Sequence, residues 1–183
     1  MKFFKGMSRV NMIAVTTAFL MAACLLMAPE RASAQEPVYA WTKWMGGTSL
    51  SANGIAVDSN GNLFVTGRFR GTVNFAEDWG GSDSKTAAGS NDDIFVTRIN
   101  ADGSYGWTRR MGGSSGDSGT GVSVDASGNV FVTGYFQGTV NFAEDWGGSD
   151  EKTSAGSSDV FVTRINADGS YGWTRRMGGT STD

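Results

Sequence analysis

Short runs of β-branched and aromatic residues alternate along this chain with clusters of Gly, Asn and Asp. In Ile94-Phe95-Val96-Thr97-Arg98-Ile99, apolar residues fall on both faces of an extended segment, and Leu63-Phe64-Val65-Thr66 repeats the pattern. A sheet with one wet face shows clean alternation, so apolar residues on both faces predict a sheet held between two other layers. Four strands are predicted in one unit: Gly54–Asp58, Asn62–Arg70, Asp93–Asn100 and Tyr105–Met111. Ser59-Asn60-Gly61 joins the first two, and Ala101-Asp102-Gly103-Ser104 the last two. Each turn places an Asx or Ser beside a Gly that can adopt positive φ and reverse the chain. The unit is two hairpins joined by a longer loop.

The unit is repeated. Residues 71–83 recur unchanged at 138–150, an offset of 67, and residues 95–113 recur unchanged at 161–179, an offset of 66. The slip falls in the loop where Asn91-Asp92-Asp93 faces Ser158-Asp159. A degenerate third copy of the tail stands earlier, as Trp41-Thr42-Lys43-Trp44-Met45-Gly46-Gly47. Four-stranded sheets repeated at this period and packed face to face describe β-propeller blades. The fold class read from the sequence is therefore all-β: two complete blades of four antiparallel strands plus an orphan strand, a partial propeller.

Residues 55–67 (Ile-Ala-Val-Asp-Ser-Asn-Gly-Asn-Leu-Phe-Val-Thr-Gly) resemble the bacterial β-propeller repeat known as SBBP. So do residues 121–134 and the Asp-Ile-Phe-Val…Asn-Ala-Asp-Gly…Trp segment. The resemblance spans nearly all of the chain after residue 34. It implies NHL-like blades in an exported bacterial protein, in a family that usually forms longer arrays and shares no catalytic activity.

The predicted organisation is a signal peptide at 1–34, an orphan N-terminal strand within 35–52, one blade at 53–119 and a second at 120–183. The orphan strand, Tyr39–Met45, reads as the fourth strand of a preceding blade. A closed propeller that starts on a fourth strand should end on a three-stranded blade. Here the last blade has its fourth strand, so the phase does not close. The plainest expectation is a piece of a longer propeller chain, and the alternative is one ring assembled from several copies.

Met1–Arg9 is short and basic, Asn11–Ala28 is mostly apolar, and Ala32-Ser33-Ala34 supplies small residues before Gln35. This is the three-part pattern of a secretory signal, with cleavage after Ala34. It predicts a secreted or cell-surface bacterial protein without stable membrane insertion after cleavage. A lipoprotein signal at Cys24 is the alternative. Residues 1–34 hold four basic residues and one acid, which leaves 11 basic and 17 acidic groups and a net charge of −6. That balance argues against a nucleic-acid partner. The chain has no His, and its single Cys lies in the predicted signal. Cys/His zinc sites, Ser-His-Asp triads and Cys nucleophiles are thereby excluded. The prediction is a non-enzyme with no cofactor.

Candidate chemistry concentrates in the loop 71–92 and its copy 138–159. Glu77, Asp78, Trp79 and Asp83, with Glu144, Asp145, Trp146 and Asp150, combine carboxylates that suit Ca²⁺ with an indole that suits a sugar face. The plainer reading folds Phe75 and Trp79 back on the blade rim and leaves the acids solvated. No metal site is assigned. Asp58-Ser-Asn-Gly-Asn62 has its Gly where a hairpin turn wants it and lacks the EF-hand Gly and Glu positions. Asp58 and Asp125 end first strands, a position from which acids can line a central channel. Arg109-Arg110 and Arg175-Arg176 lie mid-strand, where alternation should send one to each side and prevent one basic patch. Trp107 and Trp173 are expected to be buried, with Trp79 and Trp146 more exposed. The expected role is structural or in protein interaction, with an unidentified protein or glycan partner and self-association of blades. The alternative is a sugar- or calcium-binding module using the two loops.

Overall fold

A computed structural model describes residues 40–47 and 49–181. The predicted signal, its cleavage site at Ala34, Cys24 and Tyr39 lie outside the described residues. From Trp41 onward the chain forms one compact unit. Its first blade comprises β1 (Leu50–Val57), β2 (Leu63–Phe69), β5 (Asp93–Ile99) and β6 (Tyr105–Met111), in the order β1-β2-β5-β6. The second comprises β7 (Ser118–Val124), β8 (Val130–Phe136), β11 (Asp159–Ile165) and β12 (Tyr171–Met177), ordered β7-β8-β11-β12. All neighbours are antiparallel. The four predicted strands of a unit are all present, within a few residues of their predicted ends. Gly61 and Gly103 sit in the two hairpin turns with φ of +84° and +82°, which an L side chain rarely adopts.

The long loop is itself folded. It carries a small hairpin, β3 (Thr72–Asn74) with β4 (Ser84–Thr86), around a 3₁₀ turn at Glu77–Trp79. The copy has β9 (Thr139–Asn141), β10 (Glu151–Thr153) and a 3₁₀ turn at Glu144–Trp146. The excursion exists to cover a sheet face. Phe75 packs edge-on to Phe69 at 5.3 Å and tilts on Phe95 at 5.2 Å. Phe142 does the same with Phe136 and Phe161, at 5.3 and 5.0 Å. All six rings are fully buried.

A single apolar cluster joins the two blades. Phe64, Ile94, Val96 and Met111 of the first pack with Val130, Val132, Phe136, Val140, Phe142, Phe161 and Ile165 of the second. A β-bulge helps align them. Asn53 interrupts the β1–β2 register, and its side-chain amide donates to the Gly119 carbonyl in β7 at 2.8 Å.

Two expectations need correction. Residues 40–47 lie in no sheet, so the described part of the orphan segment is not a strand. A strand needs a hydrogen-bonded neighbour, and the described chain places none beside it. The apolar residues expected to be left wet on the first blade are also covered in part: Phe95 and Val96 are completely buried, while Ile55 and Val57 of β1 stay exposed. Phe95 lies under the blade's own excursion, and Val96 lies in the inter-blade cluster.

Because Phe142 plugs the excursion into its blade, Phe142→Ala is expected to cost ~3–5 kcal/mol in equilibrium denaturation. A cost under ~1 kcal/mol would mean that the excursion is a loose flap rather than part of the core.

Candidate functional site

The predicted site residues fall into two groups, which meet where Lys85 Nζ lies 3.3 Å from Asp83 and 2.9 Å from Asp145. Asp83 and Asp150 face their own blade's outer strand. The Asp83 carboxylate accepts from the Tyr105 hydroxyl at 2.6 Å and the Thr108 amide at 3.1 Å, with Lys85 at 3.3 Å. Asp150 accepts from Tyr171 at 2.6 Å and Thr174 at 3.2 Å, and Lys152 pairs with it. Burial works against the charge of Asp83, but these donors and Lys85 hold its carboxyl below the usual range. Burial and the bond to Asp83 raise the Tyr105 phenol. A hydroxyl pair, Thr97–Thr108 at 2.8 Å, continues this chain of polar contacts into the sheet.

Glu144, Asp145 and Trp146 face the other way and grip the edge of β6. The Arg109 guanidinium lies 5.2 Å from the Trp146 ring centre, and its Nη1 donates to the Asp145 carbonyl at 3.3 Å. The backbone amide of Arg110 donates to the Asp145 carboxylate at 3.3 Å, and Lys85 Nζ donates to it at 2.9 Å. Arg110 pairs with Glu144 through Nη2 and with Asp93 Oδ2 through Nη1, the latter at 2.7 Å. Arg110 thus ties a buried carboxylate of one blade to the loop of the next. Burial pushes the Asp93 carboxyl up despite this partner. The expectation that the arginines cannot act together is corrected. Their side chains do alternate, but the loop wraps the free edge of the outer strand and meets both.

The same clasp recurs upstream. Lys43 Nζ donates to the Asp78 carbonyl at 3.0 Å and lies 5.3 Å from the Trp79 ring centre. The Trp44 amide donates to the Asp78 carboxylate at 3.4 Å, as that of Arg110 does to Asp145. The Trp41 indole crowds Gly103 as the Trp107 indole crowds Gly169. Segment 41–46 therefore occupies the outer-strand position against the first blade without strand pairing. Trp79 and Trp146 are fixed by hydrogen bonds from their indoles to Gly103 O and Gly169 O, at 2.7 and 2.8 Å. All four of Trp79, Trp107, Trp146 and Trp173 are half-buried. The expected contrast between strand and loop indoles is absent, because the loop indoles are fixed to Gly103 and Gly169 and covered by Lys43 and Arg109.

Sequence reasoning missed Lys85 and Asp117. Lys85 is the partner of Asp145, and the fixed Arg-Arg and Glu-Asp-Trp motifs of opposite charge were the available signal. Asp117 closes the linker between blades, accepting from the Gly113 amide at 2.8 Å and the Gln137 amide at 3.0 Å. Asp58 and Asp125 cap their own turns. Asp58 accepts from the Asn60 and Asn62 amides, both at 2.9 Å, and Asp125 from those of Ser127 and Asn129. Asp58 also borders a polar cavity of about 170 Å³ with Asn62, Arg98 and Ser127. Among the described residues no three carboxylate, His or Cys side chains stand close enough to hold a metal.

Fold and seam together define an all-β repeat protein built from propeller blades. The model of the SBBP beta-propeller repeat matches residues 41–68 and 106–135. Both matches begin in the clasp segment and run through the first two strands of the following blade, so the matched unit spans the seam. The family marks a structural or protein-interaction module and is typically non-enzymatic. No curated protein matches the chain.

The linker carboxylate yields a pH prediction. Burial pushes Asp117 up to about 7, with Asp93 adding to the shift and backbone amides and Arg110 opposing it. Its unfolded value is the ordinary 3.8. The folded state then holds the proton more tightly, so this group's stabilisation is complete below the unfolded value and is lost as pH rises towards 7. Asp117→Asn is expected to flatten that decline in denaturation midpoints measured between pH 4 and 8. An unchanged slope would remove Asp117 as its source.

Proposed function

We propose that this chain is an exported repeat protein with a structural or protein-interaction role at the cell envelope or outside the cell. The observation that carries the reading is the seam. The polar residues that looked most like a ligand site bind backbone and cations within the chain, Asp145 and Trp146 at the edge of β6 and Asp78 at segment 41–46. What the molecule offers its surroundings is blade surface. The basic-apolar-small pattern of residues 1–34 supports export. A sugar- or calcium-binding role for the two loops has less support, because Asp83, Asp145 and Asp150 already hold cations and amides of the protein.

Two measurements test this reading. N-terminal sequencing of the product recovered outside the cell is expected to begin at Gln35. A chain retained at a lipid-modified Cys24 would replace free secretion with an anchor. Titration with Ca²⁺ is expected to leave the thermal midpoint unmoved, since only a ligand that prefers the native state raises it. A concentration-dependent rise would restore the loops as a calcium site.

A further inference from the structure

Three segments of this chain carry the clasp pattern: 41–46, β6 and β12. Two loops carry its counterpart, 77–79 and 144–146. Among the described residues the third clasp, on β12, has no such loop against it, and the structure around it differs from the filled one in the way an open seam requires. Met111 in β6 is 1% exposed, whereas Met177 at the same place in β12 is 51% exposed. Arg109 faces Trp146 and Asp145. Arg175 is exposed and, among the described residues, pairs with no carboxylate. Arg176 holds the buried Asp159 at 2.6 Å, as Arg110 holds Asp93, but among the described residues it has no second acid. The apolar part of the face is open too. Phe64, Thr66 and Val96 are sealed at the inner seam, while their counterparts Phe131, Thr133 and Val162 are half-buried and line an apolar depression of about 320 Å³.

The matching surface is at the other end of the same chain. Val122 and Val124 of β7 pack against the inter-blade cluster. Their counterparts in β1, Ile55 and Val57, are 63% and 60% exposed. The loop beside β1 carries Glu77, Asp78 and Trp79, identical to the Glu144-Asp145-Trp146 that β6 already grips. We infer that the open face of the second blade, Phe131, Val162 and Arg175, docks the β1 edge and the 77–79 loop of a second copy of this chain, head to tail. The inference rests on reading the protein as an interaction module, and it names the partner.

In that arrangement β12 takes the place of segment 41–46. The exchange is favourable because β12 is held in a four-stranded sheet, whereas 41–46 pairs with no strand. Arg176 also meets Glu77, where Trp44 in the same position offers no charge. One misfit opposes it. A Cβ at Gly119 would lie 2.3 Å from Thr66 Oγ1 at the inner seam. The residue at that place in β1 is Ala52. Its methyl meets Thr133 in the docked pair, so it weakens the contact without abolishing the charged half. A head-to-tail contact uses two different patches and so builds either a closed ring or a fibre.

The experiment is sedimentation velocity on the protein as its producing cell yields it, across a concentration series. The wild type is expected to associate at micromolar concentrations. Arg175→Glu, which leaves the Arg176–Asp159 pair intact, is expected to weaken association by ~100-fold, as loss of an interfacial charge pair does. Combining Arg175→Glu with Asp78→Lys restores part of the loss, and Ala52→Gly tightens the wild-type contact. A monomer at every concentration for both wild type and Ala52→Gly would overturn the inference. So would association indifferent to Arg175→Glu. Neither result bears on export, which the N-terminus of the secreted product decides separately.

Discussion

A sheet that is apolar on both faces loses stability wherever either face meets water, and this constraint orders the rest of the molecule. The strands β2 and β5 have buried residues at nearly every position. At ~25 cal/mol per Å² of apolar surface, exposing several such side chains removes several kcal/mol from a total stability of only ~5–15 kcal/mol. The chain meets the constraint with two kinds of cover. One face of each blade takes the excursion from its own second strand, plugged by Phe75 or Phe142. The other face of the first blade takes the second blade.

The polar contacts then follow from where the covers meet. Covering a face from outside leaves the amides of the outer strand unpaired at their free edge, and buried donors need acceptors. Asp145 reaches the Arg110 amide, and Asp78 the Trp44 amide. Asp83 and Asp150 serve the other side of the same job, meeting amides of Thr108 and Thr174 from within the blade. Carboxylates that would suit a ligand in isolation are thus fixed at the points where sheet edges lack partners. The arginines serve both layers. Arg110 leaves no isolated charge beside Asp93, which is wholly buried and would be costly unpaired.

The strands, their order and the blade repeat were legible in the sequence because they depend on local signals. Phe-Val-Thr runs set the pleated segments, Asx-Gly turns set the reversals, and a two-faced apolar pattern announces a sheet with neighbours. The seam was legible only in part. Strand alternation placed Arg109 and Arg110 on opposite sides correctly, but alternation is a property of sheet faces, and the seam lies at an edge. Segment 41–47 shows the converse limit. Its Trp-Thr-Lys-Trp-Met-Gly spells an outer strand, and its side chains do sit where an outer strand's would. Strand pairing depends on a neighbour, which no local pattern supplies. The excursion was legible in part: Phe75 folds back and is buried as its sequence suggests, but the acids expected to be solvated, Asp83, Asp145 and Asp150, hold amides of the outer strands.

The identity of the repeats carries one more consequence. Residues 105–111 and 171–177 have the same sequence and the same strand geometry, yet their burial diverges from the middle of the strand onward. One sequence cannot be optimal both beneath a neighbouring loop and in water. An outer strand tuned for solvent would replace Met177 and Trp173 with polar residues, as the caps of repeat arrays do. Here β12 keeps the apolar and cationic residues of an inner seam. The linker shows the opposite treatment. Where β1 begins with Leu50, the matching residue just before β7 is Asp117, whose carboxylate takes the Gly113 and Gln137 amides and fixes one blade to the next. The joint between these two blades has therefore been specialised, while their open faces retain the residues of a general blade contact. That difference separates a covalent seam, whose geometry the linker sets, from open faces whose fit rests on side chains alone.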